Sequence, residues 1–191
     1  MEENLVNKYV SLNDVSLELS EKISKLLESC FTQKNKIPEE KAEHDDKYCS
    51  KKDRIGFSLA VKENQVIGVV VILKRIIPYQ GKQIILGGIG GVCINEKFRR
   101  KGIAKKLLKI AVGKLKEEKC DIAYLCTDTE NLVVLYEPFC FNKLKKQYTY
   151  LGKSGKRYFE WGGMIAPINS TALFQQIMEG KESFDIGIGN W

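Results

Sequence analysis

The sequence predicts an α/β domain built on one mixed, mostly antiparallel sheet of about six or seven strands flanked by helices. Three observations lead to this fold class. Apolar runs of strand length fill the middle of the chain, an amphipathic helix follows the longest run, and turn residues join neighbouring runs into hairpins. Because 191 residues without an internal repeat suit one domain, we expect residues 1–191 to form a single domain.

The first segments predict one strand, one helix and one polar loop. Leu5–Val10 is a strand candidate, and Ser20 is a helix N-cap that precedes apolar residues at helical spacing. These apolar residues are Ile23, Leu26, Leu27, Cys30 and Phe31. Thr32–Arg54 is polar, contains Pro38 and shows little periodicity, so we predict a long loop that holds one short helix at most.

The central segments predict two antiparallel connections. Phe57–Val61 and Val66–Arg75 form a hairpin, and a turn over Pro78–Gly81 leads into a long strand over Lys82–Ile94. The middle of that strand contains Gly87, Gly88, Gly90 and Gly91. Glycine inside a strand marks a bulge or a close backbone approach, so we expect a ligand to lie against this strand.

An amphipathic helix over Gly102–Glu118 follows, with apolar residues at helical spacing and lysines on the opposite face. Asp121–Cys126 is a short apolar strand, as a buried central strand requires. The remaining predicted elements are a short helix over Asn131–Pro138, an antiparallel hairpin of Phe141–Leu151 with Tyr158–Ile168, a helix over Ser170–Glu179 and a glycine-rich tail over Ser183–Trp191.

The composition is that of a globular protein in water, with 29% charged and 43% hydrophobic residues. No apolar run reaches the length of a membrane span, so we expect no membrane partner. The polar, acidic residues 1–4 do not form a secretory signal, which predicts a cytoplasmic location.

Cysteine and histidine usage argues against a metal site. The six cysteines contain no C-x-x-C pair and lie mostly in apolar runs, so we expect buried free thiols in a reducing compartment. His44 is the only histidine and lies in a polar segment. We therefore predict no bound metal and a solvated His44.

The stretch Arg99-Arg100-Lys101-Gly102-Ile103-Ala104 lies where the predicted helix begins. The small residues leave backbone N–H groups uncovered at the helix N-terminus, which attracts phosphate through these donors and a partial positive charge. A pyrophosphate-bearing cofactor is the ligand that this stretch predicts. The formal charge of +7 also allows a nucleic-acid binder, but no recognised nucleic-acid motif accompanies the basic residues, and we expect no such partner.

The stretch Gly91–Ala104 resembles the acetyl-CoA signature of the GNAT superfamily of N-acetyltransferases. The core pattern Gln/Arg-x-x-Gly-x-Gly/Ala is matched by Arg99, Gly102 and Ala104. A second block from Asn131 to Phe141 is similar to the superfamily's Asn…Leu-Tyr-x-x-x-Gly-Phe, with Cys140 replacing the glycine. Both blocks occur in the expected order and at the expected distance.

The resemblance implies acetyl-CoA as cosubstrate and assigns roles to residues. Val92–Ile94 would pair with the pantetheine arm, the N–H groups of Arg100–Lys105 would hold the pyrophosphate, and Asn131 would contact the arm. The implied cofactor residues are Val92, Cys93, Ile94, Arg99, Arg100, Lys101, Gly102, Ile103, Ala104, Lys105 and Asn131. Tyr136 lies where the family places the acid that protonates the leaving thiolate; the alternative is an aromatic packed on its helix.

A narrower resemblance links the end of the chain to the aminoglycoside 2′-N-acetyltransferases. Gly189-Asn190-Trp191, the turn Ile76–Lys82 and the strand Met164–Ile168 are similar to segments of that family. The resemblance implies that the carboxylate of Trp191 is a base or an amine anchor, whereas a frayed tail is the alternative. The chain departs from that family at Gly90, where a glutamate is expected, and at the residues before Trp191, which lack its aspartate.

These patterns lead to an N-acetyltransferase that acts on a small-molecule amine, with an aminoglycoside or amino sugar as one option. A protein or peptide N-acetyltransferase and a non-catalytic CoA-binding sensor are the alternatives, and a homodimer is one option for assembly. A polycationic acceptor needs several carboxylates. The candidates are Asp185, Glu182, Glu160, Glu39, Glu40, Glu43, Asp45 and Asp46.

Overall fold

The computed structural model describes residues 5–31, 36–181 and 183–191. The helices are α1 (Leu17–Cys30), α2 (Pro38–Lys47), α3 (Ile103–Glu117), α4 (Val133–Tyr136) and α5 (Thr171–Glu179). The strands are β1 (Leu5–Ser11), β2 (Arg54–Lys62), β3 (Gln65–Tyr79), β4 (Lys82–Ile94), β5 (Ile122–Cys126), β6 (Asn142–Lys143), β7 (Tyr148–Leu151), β8 (Arg157–Glu160), β9 (Gly163–Pro167) and β10 (Phe184–Ile188).

The main sheet has seven strands in the order β1-β2-β3-β4-β5-β9-β6, and the pair β4–β5 is parallel while its other pairs are antiparallel. Alternate residues of β3 and β4 point to opposite faces of the sheet and belong to two separate cores. Helices cover both faces. Helix α3 packs on one face, and α1 and α5 pack on the other. The predicted fold class is confirmed.

The expectation of a single sheet was wrong. Strand β7 pairs with β8 as the predicted hairpin, but both belong to a second sheet, in which β10 lies parallel to β7. Strand β9 instead enters the main sheet between β5 and β6. Gly162, at a φ of 89°, lies between β8 and β9 and provides the left-handed turn that redirects the chain.

Helix α1 begins earlier than predicted. Ser16, not Ser20, is its N-cap: the Ser16 Oγ accepts a hydrogen bond from the Leu19 N–H at 3.2 Å. Ser20 already lies inside the helix, where its N–H bonds to the Ser16 carbonyl at 2.9 Å. The polar segment after α1 does hold one short helix, α2; residues 32–35 of that segment lie outside the described part of the chain.

The cysteine prediction was wrong in two respects, because two cysteines form a disulfide and the free Cys140 is exposed. Cys30, the last residue of α1, forms a disulfide with Cys93 of β4. Cys30 lies on the apolar stripe of α1, and Cys93 lies on the face of β4 that α1 covers, so the two thiols meet in one core. The cysteines that remain free are Cys49, Cys120, Cys126 and Cys140.

The described residues contain no group of three or more His, Cys, Asp and Glu side chains arranged to hold a metal ion. Over the same ranges, no helix has the length and apolarity that crossing a membrane requires.

Candidate functional site

Strands β4 and β5 separate halfway along β4. Their ladder covers only Leu86–Gly88 of β4 and Ile122–Tyr124 of β5. Beyond Gly88, β4 is paired with β3 but not with β5 in the described part of the chain. The β5-facing backbone groups of Ile89–Ile94 are therefore placed to pair with an extended ligand.

A bulge at Gly91 marks this separation. Val69 pairs with Cys93 and Val71 with Gly90, so β4 carries one more residue than β3 here. Gly91 has a φ of 53°, and a Cβ added to it would lie 2.8 Å from the Val71 Cγ2. Glycine is therefore needed at this position for both backbone and steric reasons.

The N-terminus of α3 is open to a ligand. Gly102 is the N-cap at a φ of 74°, and the first helical hydrogen bond runs from the Lys106 N–H to the Gly102 carbonyl at 3.2 Å. The three N–H groups between them, on Ile103, Ala104 and Lys105, have no carbonyl partner within the helix. An added Cβ on Gly102 would meet nothing within 4 Å, so this end of the helix faces open space.

Basic side chains surround that terminus. Arg99, Arg100, Lys101 and Lys105 are exposed, and the Arg99 Nε donates to the Ile94 carbonyl at 3.1 Å, which ties this loop to the end of β4. Free N–H groups, a helix dipole and several cations suit a diphosphate group. The residues present therefore fit the diphosphate and pantetheine arm of coenzyme A.

Tyr136 and Asn131 lie on the α4 side of the site. Tyr136 is buried in α4 and meets the ring of Phe141 edge-on at 6.2 Å between centroids. Burial raises the pKa of its phenol, which also hydrogen-bonds Thr127, directly after β5. Asn131 is exposed, and its Nδ2 donates to Asp128 at 2.7 Å. The phenol thus lies near the carboxyl end of β5.

The tail does not fray. Trp191 is only 8% exposed, and its indole lies so close to β4 that a Cβ on Gly88 would be 2.1 Å from the Cε3 atom. The backbone carbonyl carbon of Trp191 lies 3.7 Å from the position that a Cβ on Gly90 would take. Gly88 therefore makes room for the chain's own tail, and the Trp191 backbone lies beside Gly90 in the open half of β4.

Sequence reasoning missed the polar residues that hold this tail. Arg75 and Asn190 are both buried, and the Arg75 guanidinium carbon lies 4.1 Å from the Trp191 ring centroid. Arg75 belongs to no recognised motif, and Asn190 lies in the Gly189-Asn190-Trp191 segment, in which the resemblance gives a role to Trp191 alone. The sequence signal for Arg75 was an arginine within an apolar strand, because an arginine buried there needs polar partners.

Four of the eight candidate carboxylates, Glu160, Glu43, Asp185 and Asp46, have partners within the fold. The Lys47 Nζ contacts Glu160 at 2.8 Å and Glu43 at 2.9 Å. Burial raises the pKa of Glu160, but hydrogen bonds from Lys47 and tyrosine hydroxyls outweigh burial and leave this pKa below its ordinary value. Asp185 pairs with Arg157.

Asp46 has internal partners too. It accepts hydrogen bonds from the Tyr158 hydroxyl at 2.8 Å and the Ser154 N–H at 2.6 Å. Glu39, Glu40 and Asp45 lie exposed on α2, and Glu182 lies outside the described residues.

Comparison with known proteins agrees with this geometry. A family model described as an acetyltransferase (GNAT) domain matches residues 13–141. N-alpha-acetyltransferase 30 of Saccharomyces cerevisiae is 36% identical over 74 residues, which is 38% of this chain and 42% of the relative. N-alpha-acetyltransferase 30 of Dictyostelium discoideum is 33% identical over 121 residues, 61% of this chain and 60% of the relative. The matches thus span about half the length of these relatives.

Solved structures share the fold. A chain of the NatC complex bound to Gag peptide and CoA has a TM-score of 0.56 and 25% identity, covering 85% of this chain and 99% of its own. The GNAT family N-acetyltransferase YhbS of Escherichia coli, in complex with CoA, has a TM-score of 0.64 and 17% identity, covering 98% of this chain and 91% of its own.

The family match covers more than half of the chain and includes both the open strand β4 and the N-terminus of α3. The two curated relatives are N-alpha-acetyltransferases, not aminoglycoside 2′-N-acetyltransferases, so they do not support the narrower resemblance. The chain belongs to the GNAT family of acetyltransferases.

Proposed function

We propose that this enzyme transfers the acetyl group of acetyl-CoA to the α-amine at the N-terminus of a peptide or protein. The curated relatives are named as N-alpha-acetyltransferases, and one similar structure holds a peptide and CoA. This acceptor replaces the small-molecule amine that the sequence favoured.

The engaged carboxylates carry this choice of acceptor. An aminoglycoside presents several ammonium groups, which require several carboxylates free to pair with them. Here Lys47 neutralises Glu160 and Glu43, and Asp185 and Asp46 have partners within the fold, which leaves Glu39, Glu40 and Asp45 on the surface of α2. A peptide N-terminus brings a single amine, which needs no such cluster of free acids.

The position of the buried tail does not favour a peptide over a small-molecule acceptor. An open groove suits a peptide, and a tail folded over the cleft would suit a small molecule. Strand β10 is part of the second sheet and Trp191 is buried against β4, so this segment is a wall of the fold. The support for a peptide acceptor therefore comes from the paired carboxylates and from the names of the curated relatives.

The donor side follows from the site's backbone. Val92–Ile94 pair with the pantetheine arm as an added strand, Asn131 contacts that arm, and Arg99–Lys105 hold the diphosphate. When bound, acetyl-CoA supplies the acetyl thioester for attack by the amine. The Val92 N–H donates to the thioester oxygen as negative charge develops there, and one such donor contributes about 3 kcal/mol in comparable sites.

Two residues act on protons and on the acceptor. As the new N–C bond forms and the C–S bond breaks, Tyr136 donates its phenolic proton to the leaving sulfur, and its raised pKa keeps that proton in place at neutral pH. The attacking nitrogen releases a proton to solvent, and the tyrosinate takes one back from solvent. The backbone oxygen of Trp191, beside Gly90, accepts a hydrogen bond from the acceptor amine and anchors it. Free α-amines are partly deprotonated near neutral pH, so the attacking form is accessible.

An acceptor screen tests this function. The acceptors are a peptide with a free N-terminus, the same peptide with a blocked N-terminus and a free lysine, an aminoglycoside and a polyamine. Release of CoA thiol and the mass of the acceptor report transfer. We expect acetyl transfer to the free N-terminus alone; transfer only to the aminoglycoside, or acetyl-CoA binding without turnover on any acceptor, would contradict the proposal.

A further inference from the structure

We infer that Asn190 and Arg75 are positioning residues that fix the backbone of Trp191 beside the open half of β4. This inference rests on the proposed function, since it gives Trp191 its place on the acceptor side. Neither residue touches the acetyl-CoA side of the site. Both act through Trp191, and their polar contacts determine where its carbonyl group lies.

The Asn190 side chain uses both of its polar atoms within a buried network. Its Oδ1 accepts hydrogen bonds from the Tyr124 hydroxyl at 3.0 Å and from the Trp191 N–H at 2.9 Å. Its Nδ2 donates to the Tyr148 hydroxyl at 3.0 Å and to Glu160 at 3.2 Å. The Trp191 peptide group is thereby tied to β5, β7 and β8 at one point.

The Asn190 backbone is fixed as firmly. Its N–H donates to the Lys47 carbonyl at 2.7 Å, and its carbonyl accepts from the Ser50 Oγ at 2.8 Å. Asn190 is 1% exposed, so losing any of these partners would leave a polar group without water. A buried asparagine with this many hydrogen-bond partners has a single orientation. Because Trp191 follows directly in the chain, the start of its backbone is fixed as well.

Arg75 holds the same segment from β3. Its Nη1 donates to the Ile186 carbonyl at 2.7 Å and the Gly189 carbonyl at 3.0 Å, while its Nη2 pairs with Asp53 at 2.8 Å. The plane of the guanidinium also covers the Trp191 ring. Lysine could keep the charge but not the forked donors or the flat contact.

The sheet is shaped to receive Trp191 in this position. Gly88 leaves space for the indole, and the Trp191 carbonyl carbon lies 3.7 Å from the position that a Cβ on Gly90 would take. Both glycines lie on β4: Gly88 is the last residue of its ladder with β5, and Gly90 is next to the bulge at Gly91. The hydrogen bonds of Asn190 and Arg75, together with the space left by Gly88 on the sheet, thus fix one position for the Trp191 backbone.

The test separates positioning from simple stabilisation. The chain has two tryptophans, Trp161 and Trp191, and Trp161 is exposed. All variants are therefore made in a Trp161→Phe background, in which fluorescence reports on Trp191 alone. Asn190→Ala and Arg75→Lys are compared with matched controls, Asn169→Ala and Arg157→Lys. Asn169 bonds to the Cys120 carbonyl, away from the tail, and Arg157 binds the tail at Asp185, away from Trp191. All variants are assayed well below their unfolding temperatures.

We expect Asn190→Ala and Arg75→Lys to red-shift Trp191 emission and increase its quenching by acrylamide. We expect kcat/KM for the acceptor to fall about 10- to 100-fold. The acetyl-CoA dissociation constant should stay within about twofold, and both controls should keep wild-type kinetics. Unchanged emission, or shifted emission with unchanged kcat/KM, would overturn the inference.

These readouts separate this inference from the proposed function. Emission, quenching and acetyl-CoA binding need no acceptor, and the kinetics use whichever acceptor the screen identifies. If the screen identifies an aminoglycoside, the proposed function fails, while the tail's positioning role is still measured on that acceptor.

Discussion

Glycine at position 88 allows Trp191 to lie against β4. We predict that Gly88→Ala destabilises the protein by about 1–3 kcal/mol, because its new Cβ would overlap the indole and force a shift in a packed core. Urea unfolding followed by circular dichroism measures this change. Gly113→Ala on α3 is the control, since nothing lies within 4 Å of its added Cβ, and stability there should rise by up to about 1 kcal/mol. Equal stability of Gly88→Ala and wild type would contradict the placement of Trp191.

Tyr136 is the residue at which proton transfer can be tested. We predict that Tyr136→Phe lowers kcat by about 10²- to 10⁴-fold, the range for loss of a general acid, without weakening acetyl-CoA binding. Because burial raises the pKa of the phenol, the acid stays protonated to a higher pH than an exposed tyrosine. Loss of kcat through its deprotonation should therefore occur only above about pH 10.

Tyr9→Phe is the control for that variant, because Tyr9 donates to the Ile55 carbonyl at 3.0 Å and has no proposed catalytic role. Initial rates of CoA release, measured over a pH series with acetyl-CoA and acceptor both saturating, give kcat for both variants. If Tyr136→Phe turns over at the wild-type rate, the phenol is a packing residue and another donor protonates the sulfur.

At the scale of elements, the disulfide joins α1 to the cofactor strand β4. Cys30 and Cys93 are 63 residues apart, and closing a loop of that size stabilises a fold by about 2–4 kcal/mol. We predict that Cys30→Ser lowers the free energy of unfolding by this amount. The reducing agent TCEP should lower wild-type stability similarly and leave Cys30→Ser unchanged.

Cys140→Ser is the matched control, because Cys140 is free and exposed. Its stability should equal that of wild type, with and without reductant. A thiol count of six in the unfolded, unreduced protein would show that the bond is absent and would contradict this account.

The sequence predicted elements well where the pattern is local. Strand β4 has its predicted bounds, and α3 differs by one residue at each end, because apolar periodicity and capping glycines lie within the segments themselves. The last hairpin was assigned to the wrong sheet, since β7 takes β10 as its second partner. That pairing joins distant segments of the chain and leaves no local signal.

At the scale of the whole molecule, the two sides of the site differ in how far sequence could predict them. Most of the donor side lies within one continuous stretch, from Gly90 to Lys105, so a bulge, a helix start and a motif appear together; Asn131 and Tyr136 add to it from a second block. The acceptor side is assembled from α2, β7, β8 and the tail. Whether Glu160 is free or paired depends on Lys47, which the fold alone brings to it.

The donor side also supports the most direct prediction about the whole enzyme. Gly102→Glu places bulk and negative charge where the diphosphate binds, so we expect acetyl-CoA binding to be abolished. Gly102→Ala separates this effect from the strain of a side chain at a φ of 74°, which should cost about 1 kcal/mol and leave binding measurable. Gly113→Glu adds the same charge to an open position on the same helix.

Calorimetric titration of acetyl-CoA into these folded proteins is the measurement that decides the central claim, that β4 and the N-terminus of α3 hold the cofactor. The claim predicts binding heat of similar size for wild type and Gly113→Glu and no heat for Gly102→Glu. It is contradicted if Gly102→Glu binds acetyl-CoA as tightly as wild type, or if folded wild-type protein gives no heat.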